Sequence, residues 1–122
     1  MFEDIDLNEL RHIPKFAYYF RYPLRHDDFH EVRDKGHLLG RIAAKPLYGR
    51  LTQERKVDRS AGFNGQVAVI FIPARARKLR SAELLLTKMP RRKVTKADGR
   101  RNWKAILEAA ETAVRRRLAE RH

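Results

Sequence analysis

Two residue pairs in the first half of the chain have the types and spacing of catalytic or metal-binding groups. His26 and His30 lie four residues apart among carboxylates, and two histidines at i and i+4 on one helix face can bind a divalent metal. A neutral histidine also suits the general base of a ribonuclease-like site. However, His26 precedes the helix start proposed at Asp28, so the two rings need not share a face. The favoured interpretation is therefore a pair of solvated residues at a helix start.

Glu54 and Lys56 form the second pair. An acid and a lysine two residues apart on a strand, with an upstream aspartate such as Asp28, are typical of metal-dependent nucleases, where carboxylates hold magnesium and lysine steadies the nucleophile. So short a pattern often arises by chance in a chain with 35% charged residues. The sequence therefore predicts no catalytic residue, no metal ligand and no cofactor. A small metal- or histidine-dependent nuclease, including one of the toxin type, is kept as an alternative.

Positive charge is a stronger signal, and it is unevenly distributed. Residues 1–61 carry 12 Lys and Arg against 10 Asp and Glu, whereas residues 62–122 carry 16 against 5, so most of the formal net charge of +13 lies in the second half. Between Arg75 and Arg101 the only acids are Glu83 and Asp98. Because the cations of such a run repel one another, a partner of opposite charge is expected, and nucleic acid is the commonest cellular polyanion.

The sequence thus predicts a nucleic-acid-binding protein, for DNA or RNA, that contacts the phosphate backbone without catalysis. The cations fall in two basic segments, 75–80 and 88–101. The predicted contact residues are Arg75, Arg77, Lys78, Arg80, Lys88, Arg91, Arg92, Lys93, Lys96, Arg100 and Arg101. The alternative from another class is a phage- or plasmid-type protein–protein module or inhibitor, whose basic face would meet an acidic protein partner.

Aromatic residues near the N-terminus raise a related question. The alternation of Phe16, Tyr18, Phe20 and Tyr22 predicts a strand over 15–22. Exposed rings beside cations are typical of single-stranded nucleic-acid binders, because bases stack on them. The favoured interpretation is that Phe16, Tyr18 and Phe20 belong to the core and that Tyr19 points outward.

The remaining strands, helices and turns are predicted from local sequence patterns. The apolar, β-branched run 67–72 predicts a buried central strand. Residues 7–12 are predicted to be a short helix and 50–58 a polar strand, and Asn64-Gly65 indicates a tight turn. Residues 28–45, with Gly36 as a candidate helix terminator and Pro46 as their end, are either one interrupted helix or a helical turn plus a strand. Residues 81–89 are predicted to be helical, with an alternating strand as the alternative.

The best-defined helix spans 103–120, after a cap at Asn102. Its last turns carry Arg115, Arg116 and Arg117, where the helix dipole favours cations. Its apolar stripe consists of Trp103, Ile106, Leu107, Ala110, Val114 and Leu118. The predicted fold is one α+β domain, residues 1–122, in which a small, mostly antiparallel sheet packs against this long C-terminal helix, with Val69 and Phe71 opposite the stripe.

The chain has no cysteine, and its longest apolar run is far short of the roughly 20 residues that span a bilayer. Its acidic start also lacks the apolar stretch of a secretory signal. These features predict a cytoplasmic protein that does not enter membranes.

One local pattern is similar to that of a known family. The run 67–77, then Thr95–Asp98 and the helix opening at Asn102, resembles the strand-to-helix segment of RusA-type Holliday-junction resolvases. In that family a Lys-Pro-Asp-x-Asp-Asn run brings magnesium-binding aspartates together. This chain keeps only Asp98 and Asn102 and lacks the second aspartate. The resemblance would therefore imply a DNA-junction binder without the residues that perform cleavage.

Overall fold

A four-stranded antiparallel sheet forms the centre of the protein. The computed structural model describes residues 1–51, 57–90 and 103–121. The strands lie in the order β1-β2-β3-β4 and are β1 (His30–Asp34), β2 (His37–Leu51), β3 (Val57–Pro73) and β4 (Glu83–Lys88). The α-helices are α1 (Pro14–Tyr19) and α2 (Trp103–Ala119), and 3₁₀ helices span Phe2–Asp4, Leu7–His12, His26–Asp28 and Leu79–Ser81. The predicted α+β class, with its antiparallel sheet and long C-terminal helix, is confirmed.

The sheet is covered on both faces, which explains the unbroken apolar run in β3. Val67, Val69 and Phe71 point towards α2, whereas Ala68 and Ile70 point towards the N-terminal segment. A strand buried on both faces reads as a continuous hydrophobic run rather than as an alternation. The prediction of a buried central strand at 67–72 is therefore confirmed, within a longer strand.

Helix α2 forms the layer on one face. Ile106, Ala110 and Val114 are fully buried against β3, and Leu118 packs beside them half-buried. The predicted stripe is confirmed apart from Trp103, which is 38% exposed. As the first residue of the helix, Trp103 meets the His30 ring edge-on at the sheet margin, with the ring centroids 6.2 Å apart. Neither α-helix has the length and apolar character that crossing a bilayer would require in the described part of the chain.

The N-terminal segment forms the layer on the other face, and here the sequence prediction was wrong. Residues 14–19 form α1 instead of a strand, with Pro14 at the first helical position, where its missing N–H costs nothing. Phe16 and Phe20 are both buried, and the Phe20 N–H donates to the Phe16 carbonyl oxygen at 2.8 Å. The i,i+4 spacing of these two rings was the helical signal, and the intervening tyrosines obscured it. The helix predicted over 7–12 is present as a 3₁₀ helix.

Residues 30–45 lie in the β1–β2 hairpin, after the 3₁₀ helix at His26–Asp28. The interrupted-helix alternative was therefore wrong, and of the other alternative only the strand is present, because β1 replaces the helical turn that was predicted to end at Gly36. Asp34 pairs with His37 across a two-residue turn at Lys35 and Gly36. Both turn residues have positive φ, 50° and 82°, as a type I′ turn requires. Gly36 was interpreted as a helix terminator because a helix C-terminus needs the same left-handed backbone.

Three further sequence predictions differ from the structure. β2 continues through Pro46, because its pairing with β1 ends at Ile42 and a proline without an N–H is tolerated there. Gly65, with φ of 95°, lies in an irregularity of β3 instead of a tight turn. Residues 83–88 form strand β4, so the helix predicted over 81–89 was wrong and its strand alternative correct. Of the predicted polar strand 50–58, residues 52–56 lie outside the described residues.

Gly40 allows β2 to pass directly under the Phe71 ring. An alanine Cβ there would lie 2.5 Å from a carbon of that ring and closer still to the Ile72 carbonyl oxygen. We expect Gly40→Ala to lower the free energy of unfolding by about 3 kcal/mol, the upper part of the range for overpacking. Urea denaturation measures this change. Gly36→Ala is the control, with open space around its Cβ but a positive φ, and should cost about 1 kcal/mol; equal losses in the two variants would contradict the steric explanation.

Candidate nucleic-acid interface

The basic segment 75–80 is held on a rigid frame where β3 ends. The Ala74 N–H donates to the Leu39 carbonyl oxygen at 3.0 Å, which directs the chain away from the sheet. Leu79 is 1% exposed and anchors the far end of the segment in the core under the N-terminal layer. The four cations of this segment are exposed: Arg75, Arg77 and Lys78 lie between these anchors, and Arg80 directly follows Leu79.

The C-terminal turns of α2 reach the same end of the molecule. Arg75 and Arg115 line one cleft. Glu83, at the start of β4, pairs with Arg117 at 3.7 Å and with Arg121. We call this surface the basic end, and its exposed cations are Arg75, Arg77, Lys78, Arg80, Arg115, Arg116, Arg117 and Arg121.

Sequence reasoning missed the helical half of the basic end. It assigned the terminal arginines of α2 to the helix dipole alone, because the direction in which the helix crosses the sheet was unknown. The apolar stripe identified the buried face of the helix but not which end of β3 its C-terminus approaches. That direction brings Arg115 and Arg75 together, although they are 40 residues apart in the sequence.

The second predicted basic segment begins at the opposite end of β4. Lys88 is exposed and ends the strand that starts at Glu83. Five residue steps along an extended strand cover about 17 Å, so Lys88 lies about that far along the sheet from the start of β4. The other predicted contacts of this segment lie outside the described residues, and they are Arg91, Arg92, Lys93, Lys96, Arg100 and Arg101.

Acidic side chains from the N-terminus face part of the basic end. Asp4, Asp6 and Glu9 line a groove of about 410 Å³ whose other side is formed by residues 77–80. Asp4 also pairs with the N-terminal ammonium group at 3.1 Å, and Asp6 accepts a hydrogen bond from the Asn8 N–H at 3.0 Å. The counter-charge expected from the sequence is therefore supplied in part by the chain itself. Arg75 and Arg116 have no ion pair among the described residues.

Glu83 lowers the positive charge that the basic end presents. Its side chain is 21% exposed and bridges Arg117 and Arg121. If the basic end binds phosphate, we expect Glu83→Gln to tighten binding, because Arg117 and Arg121 lose their ion pairs with Glu83. The slope of log K against log salt should steepen by up to about 0.9, the value of one phosphate contact. The same variant should lose about 1 kcal/mol or less of stability, as is typical of partly exposed ion pairs. Fluorescence anisotropy at several salt concentrations measures the effect, and Glu120→Gln, with the same charge change, is the control. Equal tightening in both variants would contradict a specific role for Glu83.

The interpretation of His26 and His30 as solvated residues at a helix start was wrong, because both are half-buried, they make structural contacts, and His30 begins β1. The His26 Nε2 lies 3.0 Å from the Ile5 carbonyl oxygen, and its ring meets Phe2 edge-on with centroids 5.0 Å apart. The His30 ring faces Trp103 instead. Within residues 1–51, 57–90 and 103–121, no group of three His, Asp or Glu side chains is arranged to hold a metal ion. Glu54 and Lys56 lie outside the described residues.

Two tyrosines of the N-terminal layer are exposed, and a lysine lies beside one of them. Tyr18 and Tyr22 are 58% and 45% exposed. The Lys45 Nζ lies 5.6 Å from the Tyr22 ring centroid and donates to the Tyr19 carbonyl oxygen at 3.0 Å. Burial, with a smaller effect of Asp28, raises the pKa of Tyr22 above its ordinary value.

The assignment of Tyr18 to the core was wrong, because its side chain is exposed. The assignment of Tyr19 to the surface was also wrong, because Tyr19 packs half-buried against the N-terminal layer.

The described elements define a small α+β domain in which an antiparallel meander is covered on both faces and carries a cationic end. Comparisons of the chain with protein-family models, with curated proteins and with solved structures found no match. The residues Asp98 and Asn102, on which the resemblance to RusA-type resolvases depends, lie outside the described residues. The function of the protein is therefore inferred from the charges and shape of its own surface.

Proposed function

We propose that this protein binds nucleic acid through the phosphate backbone and performs no catalysis. The binding residues are the basic end together with the segment 88–101. The observation that carries the proposal is the convergence of two distant stretches, 75–80 and 115–121, at one end of the fold. Eight exposed cations there are attached to elements with buried anchors.

The chemistry of these cations favours phosphate as the ligand. Seven of the eight are arginines, whose planar guanidinium groups bind phosphate oxygens in pairs. Their side chains are exposed, so in the free protein the charged groups remain hydrated and accessible to a ligand. Binding would release counterions condensed on the nucleic acid, and this release makes affinity fall steeply as salt rises.

The first experiment measures this salt dependence directly. Fluorescence anisotropy with labelled single-stranded and double-stranded DNA and RNA, at salt concentrations from about 50 to about 200 mM, gives the slope of log K against log salt. A protein making six or more phosphate contacts should lose about a thousandfold or more in affinity over this range. Binding that does not respond to salt, or no binding at the lowest salt, would contradict the proposal.

A second measurement separates the proposal from its rivals. Incubation of labelled nucleic acid with the protein, with magnesium or with EDTA, should leave the substrate intact; cleavage would establish the nuclease alternative instead. The protein purified without nuclease treatment should carry nucleic acid, seen as a raised ratio of absorbance at 260 to 280 nm. A protein partner that stays bound after nuclease treatment, with no affinity for nucleic acid, would favour the protein–protein module.

A further inference from the structure

A cleft of about 610 Å³ opens at the basic end, between the tip of the β1–β2 hairpin, the end of β3 and the last turns of α2. The apolar part of its wall comes from Leu38, Leu39 and Leu118, all half-buried, together with a proline and two alanines. The small alanine side chains leave the space unfilled. Ligand sites in proteins are typically concave, mostly apolar and about 300–1,000 Å³ in volume. The cleft has the size and lining of such a site.

Two guanidinium groups border this apolar wall. The Arg115 Nη2 donates to the Arg33 carbonyl oxygen at 2.7 Å, which fixes the guanidinium at the rim. A guanidinium carries five N–H donors, so this bond leaves others for a ligand. Arg75 lies in the segment that follows β3. It comes directly after Ala74, whose N–H donates to the Leu39 carbonyl oxygen where the chain leaves the strand. The cleft therefore combines an apolar wall with donors suited to a phosphate.

A carboxylate in the same lining narrows the choice of ligand. Asp34, the last residue of β1, lines the cleft and takes part in no ion pair among the described residues. A nucleotide carries its negative charge only on the phosphate, whereas an acidic peptide would bring several carboxylates near Asp34, which would repel them. Asp34 would instead accept a hydrogen bond from the exocyclic amino group of adenine, cytosine or guanine, as carboxylates do with base edges. The lining thus fits a nucleotide better than an acidic protein segment.

We propose that the cleft binds one unstacked nucleotide, with its base against Leu38, Leu39 and Leu118 and its phosphate on Arg75 and Arg115. This proposal rests on the proposed nucleic-acid binding and names its substrate class as single-stranded nucleic acid. In a duplex each base is stacked and paired, so a base could enter the cleft only after unstacking and unpairing, which costs a few kcal/mol and favours single strands. The remaining cations of the basic end would contact the phosphates on either side.

The test uses a variant that narrows the cleft without changing charge or adding a ring on which a base could stack. Ala119→Leu places a branched aliphatic side chain at an exposed position that lines the cleft, on the last turn of α2. Thr112→Leu adds the same side chain at an exposed position of the same helix that does not line the cleft. Because a change of one methylene in an apolar pocket alters binding by about tenfold or more, Ala119→Leu should weaken binding of a single-stranded 12-mer by about fivefold or more. Its affinity for a duplex, and both affinities of Thr112→Leu, should stay within about twofold of the wild type.

Two further arms identify the ligand chemistry. Asp34→Ala should reduce the preference for oligo(dA) and oligo(dC) over oligo(dT), because alanine has no side-chain acceptor for the exocyclic amino group that adenine and cytosine carry and thymine lacks. AMP and CMP, added as competitors, should displace the single strand from the wild type if free nucleotides enter the same cleft. Displacement supports a site for either source, and its absence restricts the site to bases within a strand.

The two proposals fail in different ways. If Ala119→Leu weakens single-stranded and duplex binding equally, or weakens neither, the cleft proposal is overturned while phosphate binding by the basic end stands. If the wild type binds no nucleic acid at low salt and no mononucleotide, both proposals are overturned. Thermal denaturation of Ala119→Leu and Thr112→Leu checks that both variants are folded.

Discussion

Replacing Phe16 by alanine is expected to lower the free energy of unfolding by about 3–5 kcal/mol, which is the usual cost of truncating a fully buried phenylalanine. Phe16 is 0% exposed and lies at the centre of the cluster that joins the N-terminal segment to the sheet. Small domains have total stabilities of about 5–15 kcal/mol, so the variant would lose a large part of its stability. Urea denaturation, monitored by circular dichroism, measures the change.

Tyr18→Ala supplies the matched control on the same helix. Tyr18 is 58% exposed, and its ring contacts Tyr19 edge-on with centroids 4.8 Å apart. Its removal should cost about 1 kcal/mol or less. A strand over 15–22 with alternating burial would make the two substitutions similarly costly. Comparable losses would therefore contradict the assignment of this segment to a helix with one buried face.

Removing the four cations of segment 75–80 should have the largest effect on binding. The variant Arg75→Gln, Arg77→Gln, Lys78→Gln and Arg80→Gln keeps polar side chains at exposed positions, so the fold should be retained. Each phosphate contact contributes about 0.9 to the salt slope on duplex DNA. If all four residues contact phosphate, the slope should fall by about 3 to 4, and affinity at about 50 mM salt should fall by two orders of magnitude or more.

The control removes the same charge from the rest of the surface. Lys15, Arg21, Arg25 and Lys104 are exposed and do not line the cleft at the basic end. Their replacement by glutamine takes four positive charges from the same formal total of +13. Because distant exposed charges are screened within about 10 Å, this variant should change the slope by less than 1. Equal losses in the two variants would show that binding follows net charge and not the basic end.

The triple variant Arg91→Ala, Arg92→Ala and Lys93→Ala tests the second basic segment in the same assay. These residues are part of the predicted interface. We expect a fall in the salt slope of about 2 to 3 if they contact phosphate. An unchanged slope would restrict the interface to the basic end.

Elements with one strong internal pattern could be predicted from the sequence. The six apolar residues 67–72 require burial on both faces wherever the strand lies, and the stripe on 103–119 identifies one helix face. Both predictions depend only on local periodicity, and the structure confirms them. The packing of Val69 and Phe71 against Ile106 followed from the same reasoning.

Features that depend on distant contacts could not be predicted in this way. Helix α1 is stabilised by burial of Phe16 and Phe20 under the sheet, while its local sequence also fits an alternating strand. Tertiary burial decides between the two, as it often does for short segments. The basic end likewise depends on the direction of α2 across the sheet, which no local pattern of the helix contains. The cleft depends on the direction of α2 and on the β1–β2 hairpin, since its wall joins residues from β1, β2, β3 and α2.

The two layers that cover the sheet come from opposite ends of the chain, and this has a consequence during synthesis. Phe2, Phe16 and Phe20 leave the ribosome before β3 and β4, the strands that they cover. At about 5–20 residues per second, the delay between Phe16 and Ile72 is on the order of seconds. We expect the nascent N-terminal segment to expose its aromatic side chains throughout that interval.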